Sequence, residues 1–224
     1  MFSYYGSKSK LAHLYPAPKH DTIIEPFAGA AGYSLYGDNW QKNVILYDSN
    51  PKIAAVWDYL INATEADIKA LPDLHTGQKV ADFPLSQAER WLIGFCINRG
   101  SSMPKVTASK RSDGLTYKKY ICENLHKIKH WKSYGTSYDT APNQVATWFI
   151  DPPYQRAGKY YYGHSRMDFV ALGKWCLERQ GQLIVCENEG ADWLPFQPMT
   201  VFRGSTKTQV EMLYLQEDGV HVQK

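Results

Sequence analysis

Thr22-Ile23-Ile24-Glu25-Pro26-Phe27-Ala28-Gly29-Ala30-Ala31-Gly32 sets a short apolar run directly before a turn of small residues. Such a turn lets the backbone come close to a ligand. A second apolar run, Asn43-Val44-Ile45-Leu46-Tyr47, stops at Asp48-Ser49-Asn50-Pro51. From Lys52 to Ala63, Ile53, Val56, Trp57, Leu60 and Ile61 recur on one helical face. Pro51 suits the first position of that helix. Strand, small-residue turn, helix, strand, acidic end and helix make the start of a doubly wound α/β sheet.

The rest of the chain extends this reading. Ser86 to Glu89 has a capping-box pattern before the apolar run Trp91 to Ile97. Arg99 to Gly114 reads as a long loop, and Leu115 to Lys132 as a helix with Ile121, Leu125 and Ile128 in line. Ala146-Thr147-Trp148-Phe149-Ile150 is a buried-strand signal ending in Asp151-Pro152-Pro153-Tyr154. Asp168 can cap a helix running to about Arg179, with Gly181 as its stop, and Gln182 to Cys186 is another buried strand. Met199 to Arg203 and Gln209 to Leu215 form a terminal antiparallel pair across Gly204-Ser205 in this reading.

Two features point to a nucleoside. Asp48 follows Gly29 by 19 positions, the separation at which an acid in a doubly wound fold accepts hydrogen bonds from ribose. The turn is neither GxGxxG nor followed by GK[ST], so neither a dinucleotide nor a P-loop fits. S-adenosylmethionine (SAM), a nucleoside without a pyrophosphate, fits better. The Asp151-Pro152-Pro153-Tyr154 block adds a base-binding pattern. Consecutive prolines lack N–H donors and leave strand-end carbonyls free to accept. Asp151 adds an acceptor, and Tyr154 a ring for stacking. Together they suit a flat heterocycle that carries an amine, held with its nitrogen in line for attack.

Four blocks then carry a resemblance: Tyr4-Tyr5-Gly6-Ser7-Lys8, Glu25-Pro26-Phe27-Ala28-Gly29, Asp48-Ser49-Asn50 and Asp151-Pro152-Pro153-Tyr154. In their order, and across essentially the whole chain, the sequence resembles the D12-class, Dam-like adenine-N6 DNA methyltransferases. The resemblance implies a Rossmann-like core of mostly parallel strands with a terminal antiparallel hairpin. It also implies a small, mainly helical and loop target-recognition insertion. The boundaries expected are 1–85 and 140–224 for the core and 86–139 for the insertion. The implied cofactor is SAM, with Tyr4, Lys8, Glu25, Phe27, Gly29, Asp48, Asn50 and Asp151 around it. Asp151, Pro152, Pro153 and Tyr154 are the implied catalytic block, with Tyr154 stacking on a flipped adenine. One departure is plain: Ala31 stands where the family often has the last Gly of Phe-x-Gly-x-Gly, and Gly32 follows it.

Charge locates the nucleic-acid partner. The net charge is only +3, yet residues 99–139 hold nine cations against three anions, interleaved with Tyr117, Tyr120, Trp131 and Tyr134. Arg99, Lys105, Lys110, Arg111, Lys118 and Lys119 are the expected contacts to double-stranded DNA. Met103 or Tyr117 are candidates to fill the gap left by a flipped base. Arg156, Lys159, Tyr160, Tyr161, Tyr162 and His164 read either as a lid over the base or as a loop packed on the core.

A hydrophobic fraction of 44% and a charged fraction of 21% over 224 residues are those of a globular protein with one sizeable core. The aromatic fraction of 14% serves cores and base stacking alike, so it does not choose between them. Cys96, Cys122, Cys176 and Cys186 are scattered without zinc spacing, and no metal is expected. No run reaches the ~20 apolar residues of a membrane span. The expectation is a cytoplasmic monomer of a bacterial or phage-infected cell. Competing readings are methylation of cytosine N4, of RNA adenine or of a glutamine amide, and a non-enzymatic nucleic-acid-binding module. The intact Asp48 and Asp151-Pro152-Pro153-Tyr154 argue against the last.

Overall fold

A computed structural model describes residues 1–97, 101–112, 116–157, 159, 161–203, 208–217 and 220–221. The two runs that open the sequence argument form parallel strands β1 (Thr22–Glu25) and β2 (Asn43–Tyr47). Helix α1 (Pro51–Asn62) follows, with Pro51 in its first turn and the Asn50 side chain accepting from Lys52 N–H at 3.1 Å. Short α2 (Glu65–Ala70) and α3 (Gln87–Cys96) both begin with a capping box, Thr64 with Asp67 and Ser86 with Glu89.

The region expected as one helix to Lys132 divides. Helix α4 (Tyr117–Leu125) ends in a turn, and Lys132–Tyr134 is strand β3, parallel to β2. Three residues are too few for period-2 alternation to show in a sequence. β4 (Ala146–Ile150), α5 (Phe169–Leu177) and β5 (Gly181–Asn188) follow. Asp168 caps α5, accepting from Val170 and Ala171 N–H at 3.0 Å. β6 (Gln197–Arg203) and β7 (Thr208–Glu217) form the expected antiparallel pair, and short β8 (Val220–His221) adds to β7.

The sheet order is β3-β2-β1-β4-β5-β7-β6. The five strands from β3 to β5 are parallel, and β7 lies antiparallel between β5 and β6. After β3 the chain crosses back to place β4 beside β1. The carboxyl ends of β1 and β4 therefore diverge into a crevice, the usual ligand position in open α/β sheets.

Alternate residues of each strand face opposite layers. Ile23, Val44, Leu46, Phe149 and Ile184 pack with α1, α3 and α4 through Trp57, Leu60, Leu92, Phe95 and Ile121. Ile24, Trp148, Ile150, Leu183 and Val185 pack with α5 through Leu172 and Cys176. Segment 86–139, expected as an insertion, thus shares the main core and contributes one strand to the sheet.

Gly94 fixes the basic segment onto α3. A Cβ at this position would lie 2.6 Å from Lys105 O and 2.7 Å from Pro104 Cβ, and Gly94 O accepts from Lys105 N–H at 3.0 Å. Gly→Ala inside a helix ordinarily stabilises by about 1 kcal/mol. Here the new carbon meets backbone, and overpacking of about 1–3 kcal/mol exceeds that gain. Gly94→Ala is expected to lower stability, measured by urea denaturation; a gain would show that residues 104–105 yield freely.

Candidate active site

Four strand ends converge on a cavity of about 820 Å³. β1 brings Glu25 and the turn behind it, β2 brings Asp48, and β4 brings Asp151. β7 runs the other way and brings Glu211 from near its start.

The β1 turn is tied to β2 by Ala28 N–H, which donates to Tyr47 O at 3.0 Å. Gly29 N–H donates to Asp48 Oδ2 at 2.9 Å and Asn50 N–H to Asp48 Oδ1 at 2.8 Å. Trp57 Nε1–H donates to Gly29 O at 2.8 Å, locking the turn to α1. Each Asp48 oxygen keeps acceptor capacity for a further donor, which suits the paired hydroxyls of a ribose. Burial pushes the Asp48 carboxyl up to about 6, against the pull of the Gly29 and Asn50 N–H groups.

The displaced glycine has a structural meaning. Ala31 takes the left-handed step, at φ 47°, which costs a residue with a Cβ about 1–2 kcal/mol. Gly32 is needed for space instead: a Cβ there would lie 2.7 Å from Ser9 N and 3.1 Å from Lys8 C. The turn and the N-terminal segment therefore touch backbone to backbone.

That contact seats Lys8, whose side chain is 9% exposed. Its ammonium lies 3.2 Å from Asp151 Oδ1 and 3.1 Å from Glu211 Oε1, and donates to the Tyr154 hydroxyl. It also stands 4.5 Å from the centre of the Tyr154 ring. Burial alone would favour neutral Lys8; Asp151 and Glu211 outweigh it and hold the proton on. Burial pushes Asp151 up to about 7, with Lys8 opposing and Glu211 and Glu187 adding to the rise. Burial likewise pushes Glu25 up to about 8, although Ser34 N–H donates to it at 2.8 Å.

After Asp151 the chain is pinned on both sides. Gln155 N–H donates to Glu187 Oε2 at 2.9 Å, and His164 Nε2 lies 3.1 Å from Tyr154 O. Tyr161 packs beside Tyr4 and Tyr5 and donates from its hydroxyl to Tyr5 O at 3.2 Å. Tyr160 lies outside the described residues, Lys159 and Tyr162 are exposed, and Arg156 Nε donates to Gly190 O at 2.6 Å.

Tyr4, Lys8, Glu25, Phe27, Gly29, Asp48, Asn50 and the Asp151–Tyr154 block all line this cavity. The expected DNA contacts do not. Lys118 reaches Leu71 O at 2.9 Å and Asp73 at 2.7 Å, and Lys119 lies 3.8 Å from Glu123. Lys105 and Lys110 are exposed; Arg99 and the Arg111 side chain lie outside the described residues. Tyr117 donates to Pro72 O at 2.9 Å, whereas Met103 is 50% exposed beside Lys52. Among the described residues no group of side chains could hold a metal ion, and no helix is long and apolar enough to cross a membrane.

Sequence reasoning missed Glu211, Tyr15 and Glu187. Glu211 had a signal: it shares a strand face with Leu213 and Leu215, where a carboxylate is out of place. Tyr15 had none.

The mostly parallel sheet with a reversed β7 is consistent with a methyltransferase fold. Residues 4–83 match the family model of the D12 class N6 adenine-specific DNA methyltransferases. The matched stretch contains the N-terminal segment, the β1 turn and Asp48, while the Asp151–Tyr154 block lies beyond it. No curated protein matches the chain.

Gly32→Ala is expected to destabilise the protein by about 1–3 kcal/mol through overpacking against the backbone at Lys8 and Ser9. Thermal unfolding checks it; an unchanged midpoint would mean that the turn and the N-terminal segment are not tightly apposed.

Proposed function

We propose that the protein transfers a methyl group from SAM to the exocyclic N6 amine of adenine in DNA. The carrying observation is that Asp48 and Asp151, at the ends of β2 and β4, face one cavity of about 820 Å³. Ligand sites usually span roughly 300–1,000 Å³, so this one is large enough for a nucleoside cofactor with a base alongside. The match to the family over residues 4–83 supports the same reaction.

The residues present fit SAM. Asp48 would take the ribose hydroxyls, the small-residue turn would let the backbone lie against the ligand, and Tyr4 would form part of the cofactor wall. When bound, SAM supplies a methyl group on a cationic sulfur. Asp151, together with the strand-end carbonyls, accepts N–H hydrogen bonds from the target amine and orients its lone pair. A carboxyl near neutrality suits an acceptor of the proton that the amine sheds. Tyr154 presents its ring to the adenine plane. No metal is needed, because the work of the protein is position and electrostatics.

An adenine inside a duplex must leave the stack to reach this cavity, at a cost of a few kcal/mol. We assign the phosphate contacts to segment 86–139, with exposed Lys105, Lys110 and Lys119 the best placed. Lys118 and Lys129 are engaged elsewhere: Lys129 donates to Leu60, Ile61 and Ala63 carbonyls at the end of α1. We place the protein among cytoplasmic monomers that act on double-stranded DNA.

The deciding experiment incubates unmethylated duplex DNA with SAM and the protein, then digests to nucleosides for mass spectrometry. N6-methyladenine is expected. N4-methylcytosine as the sole product would overturn the choice of base, and failure to bind SAM in calorimetry would favour a non-catalytic module. Asp151→Ala should abolish transfer in a protein that still largely folds, because this acceptor acts in the transition state while Lys8 keeps Glu211 as a partner; near-normal turnover would remove its role. Asp48→Ala should weaken SAM binding by roughly 1.5–3 kcal/mol, the range for hydrogen bonds to a charged group. Unchanged affinity would move the ribose site elsewhere.

A further inference from the structure

We infer that Glu211 is a positioning residue for methyl transfer: through Lys8 and Tyr154 it sets how strongly Asp151 accepts a proton and where the Tyr154 ring stands. The inference rests on the transfer reading above, but its central contact is a property of the protein without ligands.

Glu211 is 1% exposed, and a carboxylate so deep persists only if its charge is met. One oxygen meets it three times. Oε1 accepts from the Tyr15 hydroxyl at 2.7 Å and the Tyr154 hydroxyl at 2.8 Å, and lies 3.1 Å from Lys8 Nζ. An ammonium has three N–H donors, and Lys8 has three neighbours for them: Asp151, Glu211 and the Tyr154 hydroxyl. Lys8 is therefore shared between two carboxylates. Remove the Glu211 charge, and Lys8 belongs to Asp151 alone. Asp151 then becomes a weaker base, a poorer acceptor for the amine. The Tyr154 hydroxyl then donates to a neutral oxygen in place of a carboxylate, a weaker hold on the ring.

The surroundings do not supply a substitute. Facing Asp151 are Lys8, Tyr4 and Tyr15 from the N-terminal segment, Glu25 from β1, Cys186 and Glu187 from β5, Glu211 from β7, and Tyr154 and Tyr161. Burial keeps the tyrosines and the thiol neutral. Glu187 accepts from Gln155 N–H, Asn188 N–H and Trp193 Nε1–H, each at 2.9 Å.

Tyr15 gives an independent handle. It is buried, lies behind Glu211 rather than in the cavity lining, and packs edge-on against Phe149 at 5.0 Å. Its hydroxyl donates to Glu211 at 2.7 Å, so removing it loosens that carboxylate without altering the cavity lining.

The test uses Glu211→Gln, which keeps the shape and removes the charge. Carbon-13 NMR of aspartate-labelled, ligand-free protein follows the Asp151 carboxyl. Losing a like charge and gaining a larger share of Lys8 both lower its pKa, so Asp151 should titrate at lower pH than in the unmodified protein. With SAM and DNA, the acid limb of the kcat profile should move the same way. Its plateau should fall about tenfold or more, with SAM affinity unchanged within about threefold. An unmoved Asp151 titration, or a folded variant that loses SAM binding instead of kcat, overturns the inference. Should Glu211→Gln not fold, Tyr15→Phe keeps the ring packing. It should lower kcat about threefold or more without raising KM, and an unchanged kcat overturns the inference equally. An unmodified protein that methylates no nucleoside, while Asp151 still shifts in Glu211→Gln, removes the substrate reading and leaves the coupling standing.

Discussion

An ammonium taken out of water must find opposite charge and hydrogen-bond acceptors in water's place. Lys8 is placed that way, and much of the cavity depends on it. Its partners come from two separated parts of the chain: the Asp151–Tyr154 block after β4 and Glu211 near the start of β7. Its backbone sits on Gly32, so the turn after β1 belongs to the same assembly. The cation also makes the crowding of carboxyls bearable. Asp151 and Glu211 lie within reach of one charge, and Asp48 and Glu25 approach the same cavity with backbone N–H groups as their partners.

The parts legible in the sequence are those governed by local rules. β1, β2, β4 and β5 are apolar runs bounded by turn residues, and the helix starts carry caps that follow from hydrogen-bonding geometry alone. Asp48 and Asp151 could be found because each ends such a run. Glu211 and Tyr15 could not be joined by any local rule, since their contact spans 196 positions. β3 was hidden for a different reason: only its pairing with β2 makes Lys132–Tyr134 a strand.

Charge counting reaches less far than motif reading. Nine cations in residues 99–139 look like one nucleic-acid surface. Lys129 instead sits on the carbonyls that end α1, favourable for a cation at a helix C-terminus. Lys118 joins the α4 region to the loop after α2. A local excess of positive charge is therefore an upper bound on what a phosphate backbone can meet. The tyrosines and tryptophan in the same stretch divide likewise: Trp131 is buried with its N–H on Trp40 O, while Tyr120 stays outside.

The reversed direction of β7 sets an order of assembly. A strand antiparallel to β5 offers its early residues, not its late ones, to the end of the sheet where Asp151 lies, and Glu211 is among them. During synthesis Lys8 precedes Asp151 by most of the sheet, and the second carboxylate partner of Lys8 follows only with the β6–β7 hairpin. Until then a nascent chain holds one ammonium against one carboxylate, with Tyr15 and Tyr154 lacking their common acceptor. The site is completed by one of the longest loop closures in the molecule, the kind of contact that forms slowly. A growing chain thus has its five parallel strands before the buried charge cluster around Lys8 is complete.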